Sequence, residues 1–228
     1  MNRRRFAVLA TAASVFGSAS AALAASPPAN WDGLVRVKSA KLQHVYLLPG
    51  ADFRSYTRVM LDPTEVAFKK NWARDLNSRS VRSLSGRITD ADVERAVSEG
   101  GQEASEIFAR AFADGGFPVV TTPGEDVLRV RTAVINLTVS APDMMTSGRS
   151  RTFAGEAGAA TLVVEARDSV SGALLARVVD PQLVGESNIM FSRTAASNRA
   201  DFRAVAQRWA KSIVSGIQQL KTVSPVQP

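Results

Sequence analysis

The sequence predicts an α+β fold, an α/β sandwich-like arrangement in which two main helices cover one mixed, mostly antiparallel sheet of about five or six strands. The first observation is an amphipathic stretch, 198–221, where apolar residues recur at three- and four-residue steps. The second is Thr89, which is followed by acidic residues and opens a helical pattern that runs to Ala113. The third is a pair of apolar runs, 161–167 and 173–180, which flank a turn and are typical of a hairpin.

The N-terminal third predicts short strands and one interrupted extended segment. Apolar pairs between Trp31 and Pro49 indicate one or two strands. The stretch from Tyr56 to Phe68 is a longer extended segment, and Pro63 interrupts it. Since proline cannot donate a hydrogen bond to a ladder, we expect an edge strand or a bulge there. The next stretch, 69–87, is basic and irregular, and we expect an exposed loop or a short helix.

The middle of the chain predicts a helix and then a long strand. The helix has an expected weak point at Gly100-Gly101 and ends at Gly115-Gly116. The strand covers 127–139. Its apolar residues change parity near Thr132, which predicts a bulge or a change of packing face.

The N-terminal residues carry the pattern of an export signal. Arg3, Arg4 and Arg5 precede a short apolar run, and Ala22-Leu23-Ala24 fits a small-x-small cleavage site. The arginines fit both a twin-arginine signal and an ordinary secretory signal. We therefore expect a periplasmic or secreted protein. The expected organisation is a signal peptide at 1–24, a flexible leader at 25–30, a single globular α/β domain at 31–222 and a disordered tail at 223–228.

Composition limits the classes of partner and site. The full chain has a formal net charge of +7, and loss of the three signal-peptide arginines lowers Lys plus Arg from 28 to 25 against 21 acidic residues, a balance of +4. An excess of this size favours weak attraction to anionic surfaces and does not indicate nucleic-acid binding. The sequence contains no cysteine, which excludes disulfides, thiolate metal sites and a lipid-modified cysteine. Its single histidine, His44, is a possible general base but cannot build a multi-histidine metal site.

Two pairs of carboxylates are the remaining catalytic candidates, Asp62 with Glu65 and Glu165 with Asp168. Glycoside hydrolysis needs two carboxyl groups roughly 5 to 9.5 Å apart. In an extended segment, residues three apart point to opposite faces, so Asp62 and Glu65 are a poor pair unless a kink at Pro63 changes their directions. Asp168 is more simply a turn residue that caps the hairpin. We therefore assign no catalytic, cofactor-binding or metal-binding residue, and we favour a protein that is not an enzyme.

A cluster of basic residues is the candidate surface for an anionic ligand or partner. Such a run is more often a solvated loop, and binding that weakens steeply with salt would distinguish the two interpretations. The candidate residues are Lys69, Lys70, Arg74, Arg79, Arg82, Arg149 and Arg151.

Several segments resemble a family of exported bacterial proteins known as DUF3313, a domain of unknown function. The resemblance covers nearly the whole chain after the signal peptide, and many members of the family look like lipoproteins. This sequence lacks the cysteine that such an anchor needs, and the family supplies no catalytic residues. The segments are WDGL, YLLPGADF, YTRVMLDPTEVAF, DVLRVRTAVINL, LVVEARDSVSGALLARVVD and the helix that contains Trp209.

The arrangement of elements is also similar to that of periplasmic α/β domains of outer-membrane assembly and secretion lipoproteins. This similarity concerns the fold, and a shared fold does not imply a shared function.

Three hypotheses for function follow. The first is a soluble, non-catalytic periplasmic accessory or binding protein whose partner is another envelope protein or an anionic envelope component, without a cofactor, a lipid anchor or a transmembrane segment. The second is a carboxylate-based hydrolase of an envelope polymer. The third is a binder of anionic envelope material through the basic loop.

Overall fold

The computed structural model describes residues 27–79, 87–139, 152–154, 157–185, 191–193 and 195–227. Within these ranges, three helices and an open mixed sheet of eight strands form an α+β fold, as predicted. The elements in chain order are β1 (Asn30–Trp31), β2 (Leu34–Val37), β3 (His44–Leu47), β4 (Arg58–Leu61), β5 (Glu65–Phe68), α1 (Trp72–Arg79), α2 (Asp90–Asp114), β6 (Val127–Val139), β7 (Thr152–Ala154), β8 (Gly158–Asp168), β9 (Leu174–Val184), β10 (Phe191–Arg193) and α3 (Ala195–Val223).

The main sheet has the strand order β1-β2-β3-β9-β8-β6-β4, and β5 pairs with β6 further along the same edge. Strands β4 and β5 run parallel to β6, and the other pairs are antiparallel. The strand count exceeds the prediction partly because the segment predicted as one extended stretch forms two edge strands. Strands β7 and β10 form a separate antiparallel pair.

The predicted interruption at Pro63 lies between the two edge strands. Leu61 ends β4 and Glu65 begins β5, and the break is held by hydrogen bonds on both sides. The Oγ1 atoms of Thr64 and Thr132 are 2.7 Å apart, and the amide of Thr64 donates to Oγ of Ser105 at 2.8 Å. These bonds tie the edge of the sheet to β6 and to α2.

The long strand β6 contains a bulge, but four residues after the predicted position. The pairing register with β8 shifts between Ile135 and Thr138, and Asn136 has a positive φ of 53°. A short polar side chain such as asparagine tolerates this left-handed conformation. Thr132 stays in phase with the buried residues before it, and its hydroxyl meets Thr64. The predicted position was wrong because Thr132, a polar residue, was taken as the point where the packing face changes, whereas it is buried and hydrogen-bonded.

Helix α2 begins and ends where its sequence signals predict. Thr89 and Asp92 form a reciprocal capping box, and Gly115 closes the helix. The expected weak point at Gly100-Gly101 is wrong, because the helix continues through both residues. A Cβ atom at Gly101 would lie 3.0 Å from the carbonyl oxygen of Thr64, so glycine here allows α2 to approach the edge strand.

Helix α3 lies beside α2 on one face of the sheet and buries its apolar stripe there. Val205, Trp209, Ile213 and Ile217 belong to the same hydrophobic core as Phe108 of α2. The predicted amphipathic helix is confirmed, and its charged residues Arg208 and Lys211 are exposed. The described chain therefore forms two layers, a sheet and a pair of long helices.

The adjacent glycines of α2 provide a matched test of this packing. Gly100→Ala should raise the free energy of unfolding by about 0.5–1 kcal/mol, because alanine is the better helix former and the added Cβ meets only the methyl groups of Val66 at 3.9 Å. Gly101→Ala should lower it, because its Cβ crowds a backbone carbonyl. Urea unfolding of both variants measures the difference. If both alanines stabilise the protein, the close approach of α2 to Thr64 is not a constraint on the fold.

Candidate functional site

The sheet is wider than the layer of helices that covers it. Seven strand positions span about 29 Å at a spacing of about 4.8 Å. Two adjacent helices, each about 10 Å across, cover about 20 Å. Apolar sheet surface therefore lies beside the helices as well as beneath them, and cavities form where no helix fills the space.

A cavity with a volume of about 610 Å³ lies between α2 and α3, and we call it the interhelical cleft. Strands β5 and β6 form its floor, and the two helices form its walls. Its size is within the range of about 300–1,000 Å³ that is typical of small-molecule sites. The apolar residues and glycine that line it are Val66, Phe68, Ala96, Gly100, Ala104, Ile107, Val134, Leu137, Val139, Phe202, Ala206 and Trp209.

Ion pairs between the two helices border this cleft. Helices α2 and α3 run parallel, so that Glu99 faces Arg199 at 3.9 Å and Glu103, one turn later, is hydrogen-bonded to Arg203. The side chains of both arginines are half exposed. Exposed pairs of this kind contribute about 0–1 kcal/mol each. They therefore make the cleft border polar without closing it firmly.

The Trp209 side of the cleft is fixed by a buried carboxylate. Asp180 is only 1% exposed and accepts hydrogen bonds from Nε1 of Trp209 at 2.7 Å, from the amide of Gln43 at 2.7 Å and from Nε2 of Gln182 at 3.0 Å. A buried polar side chain is tolerated only when it is hydrogen-bonded in this way. We call this arrangement the Asp180 hub. From the sequence, Asp180 was predicted only to end a strand, although its parity matches that of the buried residues Ala176 and Val178.

The predicted basic surface is described only in part. Lys69 and Lys70 are exposed at the turn after β5, and Arg74 is exposed on α1, 3.7 Å from Asp75. Arg79 ends α1, and its side chain is outside the described part of the chain. Arg82, Arg149 and Arg151 also lie outside the described residues. Anion binding by this cluster therefore stays a prediction.

The first carboxylate pair converges on an arginine. Asp62 lies 3.2 Å and Glu65 3.5 Å from the guanidinium of Arg131, and Asp62 also pairs with Arg129 at 3.0 Å. The expectation that the two acids point to opposite faces is wrong, because the chain leaves strand geometry around Pro63. Each acid is thus engaged with a guanidinium rather than with the other acid. This arrangement supports a structural role rather than proton transfer.

The two acids of the second carboxylate pair, Glu165 and Asp168, are held by different partners. Asp168 accepts from the amides of Val170 and Ser171, which confirms that it caps the hairpin turn, and these bonds lower its pKa. Glu165 is 4% exposed and pairs with Arg177 at 2.7 Å and Arg167 at 2.9 Å. Burial pushes the pKa of Glu165 upward, but the two arginines outweigh it and hold the pKa below its usual value. Glu165 is therefore an ionised partner in a buried cluster.

That cluster occupies the sheet face opposite the helices. Glu165 and Arg177 are directly paired across β8 and β9, and they alternate with residues that pack in the main core. The guanidinium of Arg177 lies 4.4 Å from the ring centre of Trp31 and 2.7 Å from Asp32. His44 is on the same face, where burial first and the charge of Arg36 second lower its pKa. This face thus carries mutually paired charges beside a small buried apolar cluster of Ala133, Ile135 and Val163.

The described part of the chain also bears on metal binding and membrane crossing. Across this part of the chain, no three or more histidine or carboxylate side chains are grouped so that they could hold a metal ion. Each helix in it is too short or too polar to cross a bilayer.

A family model named "Protein of unknown function (DUF3313)" matches residues 23–213. The chain belongs to this family. No curated protein matches the DUF3313 chain. Among solved structures it is similar to the PelC dodecamer from Paraburkholderia phytofirmans, with 13% identity, a TM-score of 0.38 and coverage of 76% of this chain and 96% of that one.

Two other solved structures are similar to the DUF3313 chain. A DUF330 protein from Xanthomonas campestris has 12% identity, a TM-score of 0.35 and coverage of 76% of this chain and 88% of that one. A DUF4136 protein from Bacteroides thetaiotaomicron has 12% identity, a TM-score of 0.29 and coverage of 85% and 97%. Likenesses at this level carry no inference about function.

Replacement of Trp209 tests the Asp180 hub. Trp209→Phe should lower the free energy of unfolding by about 2 kcal/mol or more, because the carboxylate loses a donor and the core loses volume. Trp72→Phe is the matched control, since Trp72 is half-buried and stacks on Phe68, and phenylalanine can keep that stacking. Urea unfolding compares the two variants. Equal losses would show that Asp180 does not depend on the indole donor.

Replacement of Glu165 tests the buried ion pair through pH. A carboxyl group whose pKa is lower in the folded state stabilises the fold above its unfolded pKa of about 4.3, and this stabilisation is lost as the pH falls through the folded value. Glu165→Gln should therefore cost about 3 kcal/mol at neutral pH, and the difference from wild type should shrink below about pH 4.

Urea unfolding at several pH values measures this difference. Asp75→Asn, which alters an exposed pair, is the control and should cost less than about 1 kcal/mol. A difference between wild type and Glu165→Gln that is constant with pH would contradict the assignment.

Proposed function

We propose that this DUF3313 chain is a non-catalytic binding protein of the bacterial cell envelope that holds the apolar part of a ligand in the interhelical cleft. The observation that carries the proposal is the cleft itself, about 610 Å³ in volume and lined mainly by aliphatic and aromatic side chains. Apolar walls with a few polar groups at the border are typical of small-molecule sites. The export pattern of the N-terminal residues supports a place in the envelope.

The contacts of the carboxylates favour binding over hydrolysis. Asp62, Glu65 and Glu165 each contact an arginine, and Asp168 is engaged in the hairpin turn. A general acid needs a raised pKa near the working pH, whereas the pKa values of Glu165 and Asp168 are lowered. The hydrolase hypothesis therefore has less support than binding.

The cleft has a chemical preference that follows from its border. Among the described residues that line it, the charged ones are three acids and three arginines, namely Asp92, Glu99, Glu103, Arg95, Arg199 and Arg203. Because the two signs balance, this border does not select an ion of one charge. A neutral, mainly apolar molecule fits the cleft best.

Binding of a neutral fluorescent probe, phenylnaphthylamine, tests the proposal. Its fluorescence should rise in the presence of the protein, with energy transfer from Trp209, which lines the cleft. Gly100→Leu should weaken this binding by at least about tenfold, equal to ~1.4 kcal/mol, because the leucine side chain occupies the cleft beside Val66.

The matched control is Gly216→Leu, which places the same side chain on α3 outside the interhelical cleft. This variant should leave binding of the probe, measured by energy transfer from Trp209, unchanged. Circular dichroism confirms that both variants are folded. If folded Gly100→Leu binds the probe as well as wild type, the cleft is not the binding site.

A further inference from the structure

A second cavity lies on the other side of α3, where the sheet extends beyond the helices. It has a volume of about 390 Å³, and we call it the lysine groove. Strands β3, β9, β8 and β6 form its floor, α3 forms one wall, and the segment between β2 and β3, residues 38–43, forms the other. This groove is separate from the interhelical cleft, and the two sets of described lining residues have no member in common.

The interior of the lysine groove is a continuous aliphatic strip. Val45 pairs with Val178, and Val178 pairs in turn with Val164, so valines from three neighbouring strands lie side by side on the floor. Ile213 and Ile217 of α3 form the wall. A surface of this shape favours a single extended hydrocarbon chain, because each buried methylene contributes about 0.8 kcal/mol.

The border of the groove carries charge of one sign. Among the described residues that line it, the charged ones are Lys38 and Lys41, and both are exposed. The Nζ atom of Lys41 donates to Oγ of Ser215 at 3.2 Å, which holds the ammonium beside α3 while it retains further donors. This border differs from that of the interhelical cleft, where acids and arginines balance.

The segment that bears the lysines is anchored at both ends. Val37 and Val45 are paired across β2 and β3, and Leu42 is buried in the main core. The amide of Gln43 donates to Asp180 at 2.7 Å, which connects this segment to the Asp180 hub. Because the backbone that carries Lys38 and Lys41 is held in place before a ligand arrives, less entropy is lost on binding.

We propose that the lysine groove binds a fatty acid, with its hydrocarbon chain along the valine strip and its carboxylate at Lys38 and Lys41. The apolar floor alone would accept any hydrocarbon chain, so the two ammonium groups supply the preference for an anionic head. The lysine groove would thus be a second site, selective for an anionic ligand, whereas the interhelical cleft is proposed to bind a neutral one. The two proposals are independent of each other.

Calorimetric titration with three probes of equal chain length tests the head-group preference. In the Gly100→Leu protein, where the interhelical cleft is filled, laurate should bind, while dodecanol and dodecyltrimethylammonium should bind at least about tenfold more weakly, a difference of ~1.4 kcal/mol. Laurate affinity should also fall as salt is raised, because the ammonium groups are exposed and screened. Equal affinity for laurate and dodecyltrimethylammonium would overturn the proposal.

Substitutions locate the site. The double variant Lys38→Gln/Lys41→Gln should weaken laurate binding at least about tenfold and leave dodecanol unaffected, and these exposed positions keep the variant folded. Gly216→Leu should also block laurate, since Gly216 lines the groove and a Cβ there meets no atom within 4 Å. Gly100→Leu is the matched control, and it should leave laurate binding unchanged.

The same variants separate this proposal from the previous one. Binding of phenylnaphthylamine should depend on Gly100 and not on the two lysines, whereas binding of laurate should depend on the lysines and not on Gly100. Either proposal can therefore be contradicted while the other holds. If laurate binding is lost in Gly100→Leu and kept in the lysine variant, laurate occupies the interhelical cleft and the proposal is wrong. If laurate does not bind the folded wild type, the proposal is also wrong.

Discussion

Asp180 is almost completely buried beneath α3, and donors from separate parts of the chain satisfy its side-chain oxygens. The indole of Trp209 comes from the helix, the amide of Gln43 from the segment before β3, and the side chain of Gln182 from the same strand. Removal of any donor leaves a buried carboxylate less well satisfied, which costs more than an ordinary hydrogen bond. The hub therefore fixes the position of α3 on the sheet together with the segment that lies beside it.

Both cavities follow from the position of that helix. The sheet offers more apolar width than two helices can cover, so a helix pinned at Trp209 leaves one space toward α2 and another toward β2 and β3. Empty apolar space costs dispersion contacts, and a fold selected for stability alone tends to fill it. Gly100 and Gly216 line the two spaces without filling them. Two glycines on helix surfaces, where alanine or leucine would suit the helix better, are consistent with spaces kept for ligands.

The sequence predicted the elements whose signals are local. The capping box at Thr89, the strand at 127–139, the hairpin capped by Asp168 and the amphipathic C-terminal helix each depend on residues close together in the chain. Features that depend on distant contacts were missed. Thr132 misled the parity argument because its partner, Thr64, is far away in sequence, and Asp62 and Glu65 converge because of an arginine on β6. The cavities were equally beyond local patterns, since their existence depends on how many strands join one sheet.

The two faces of the sheet divide its chemistry in a way that bears on function. On the face opposite the helices, Arg177, Glu165 and Arg131 occupy cross-strand positions in one row, and carboxylates meet each guanidinium. Such a row stabilises the fold when its members are ionised, but it leaves little net field to attract a charged molecule. On the helix face, Lys38 and Lys41 border an apolar groove, and no acid is among its described lining residues. Unpaired positive charge beside an apolar surface can bind both the head group and the hydrocarbon chain of an anionic amphiphile. The physical argument for ligand recognition therefore rests on the helix face.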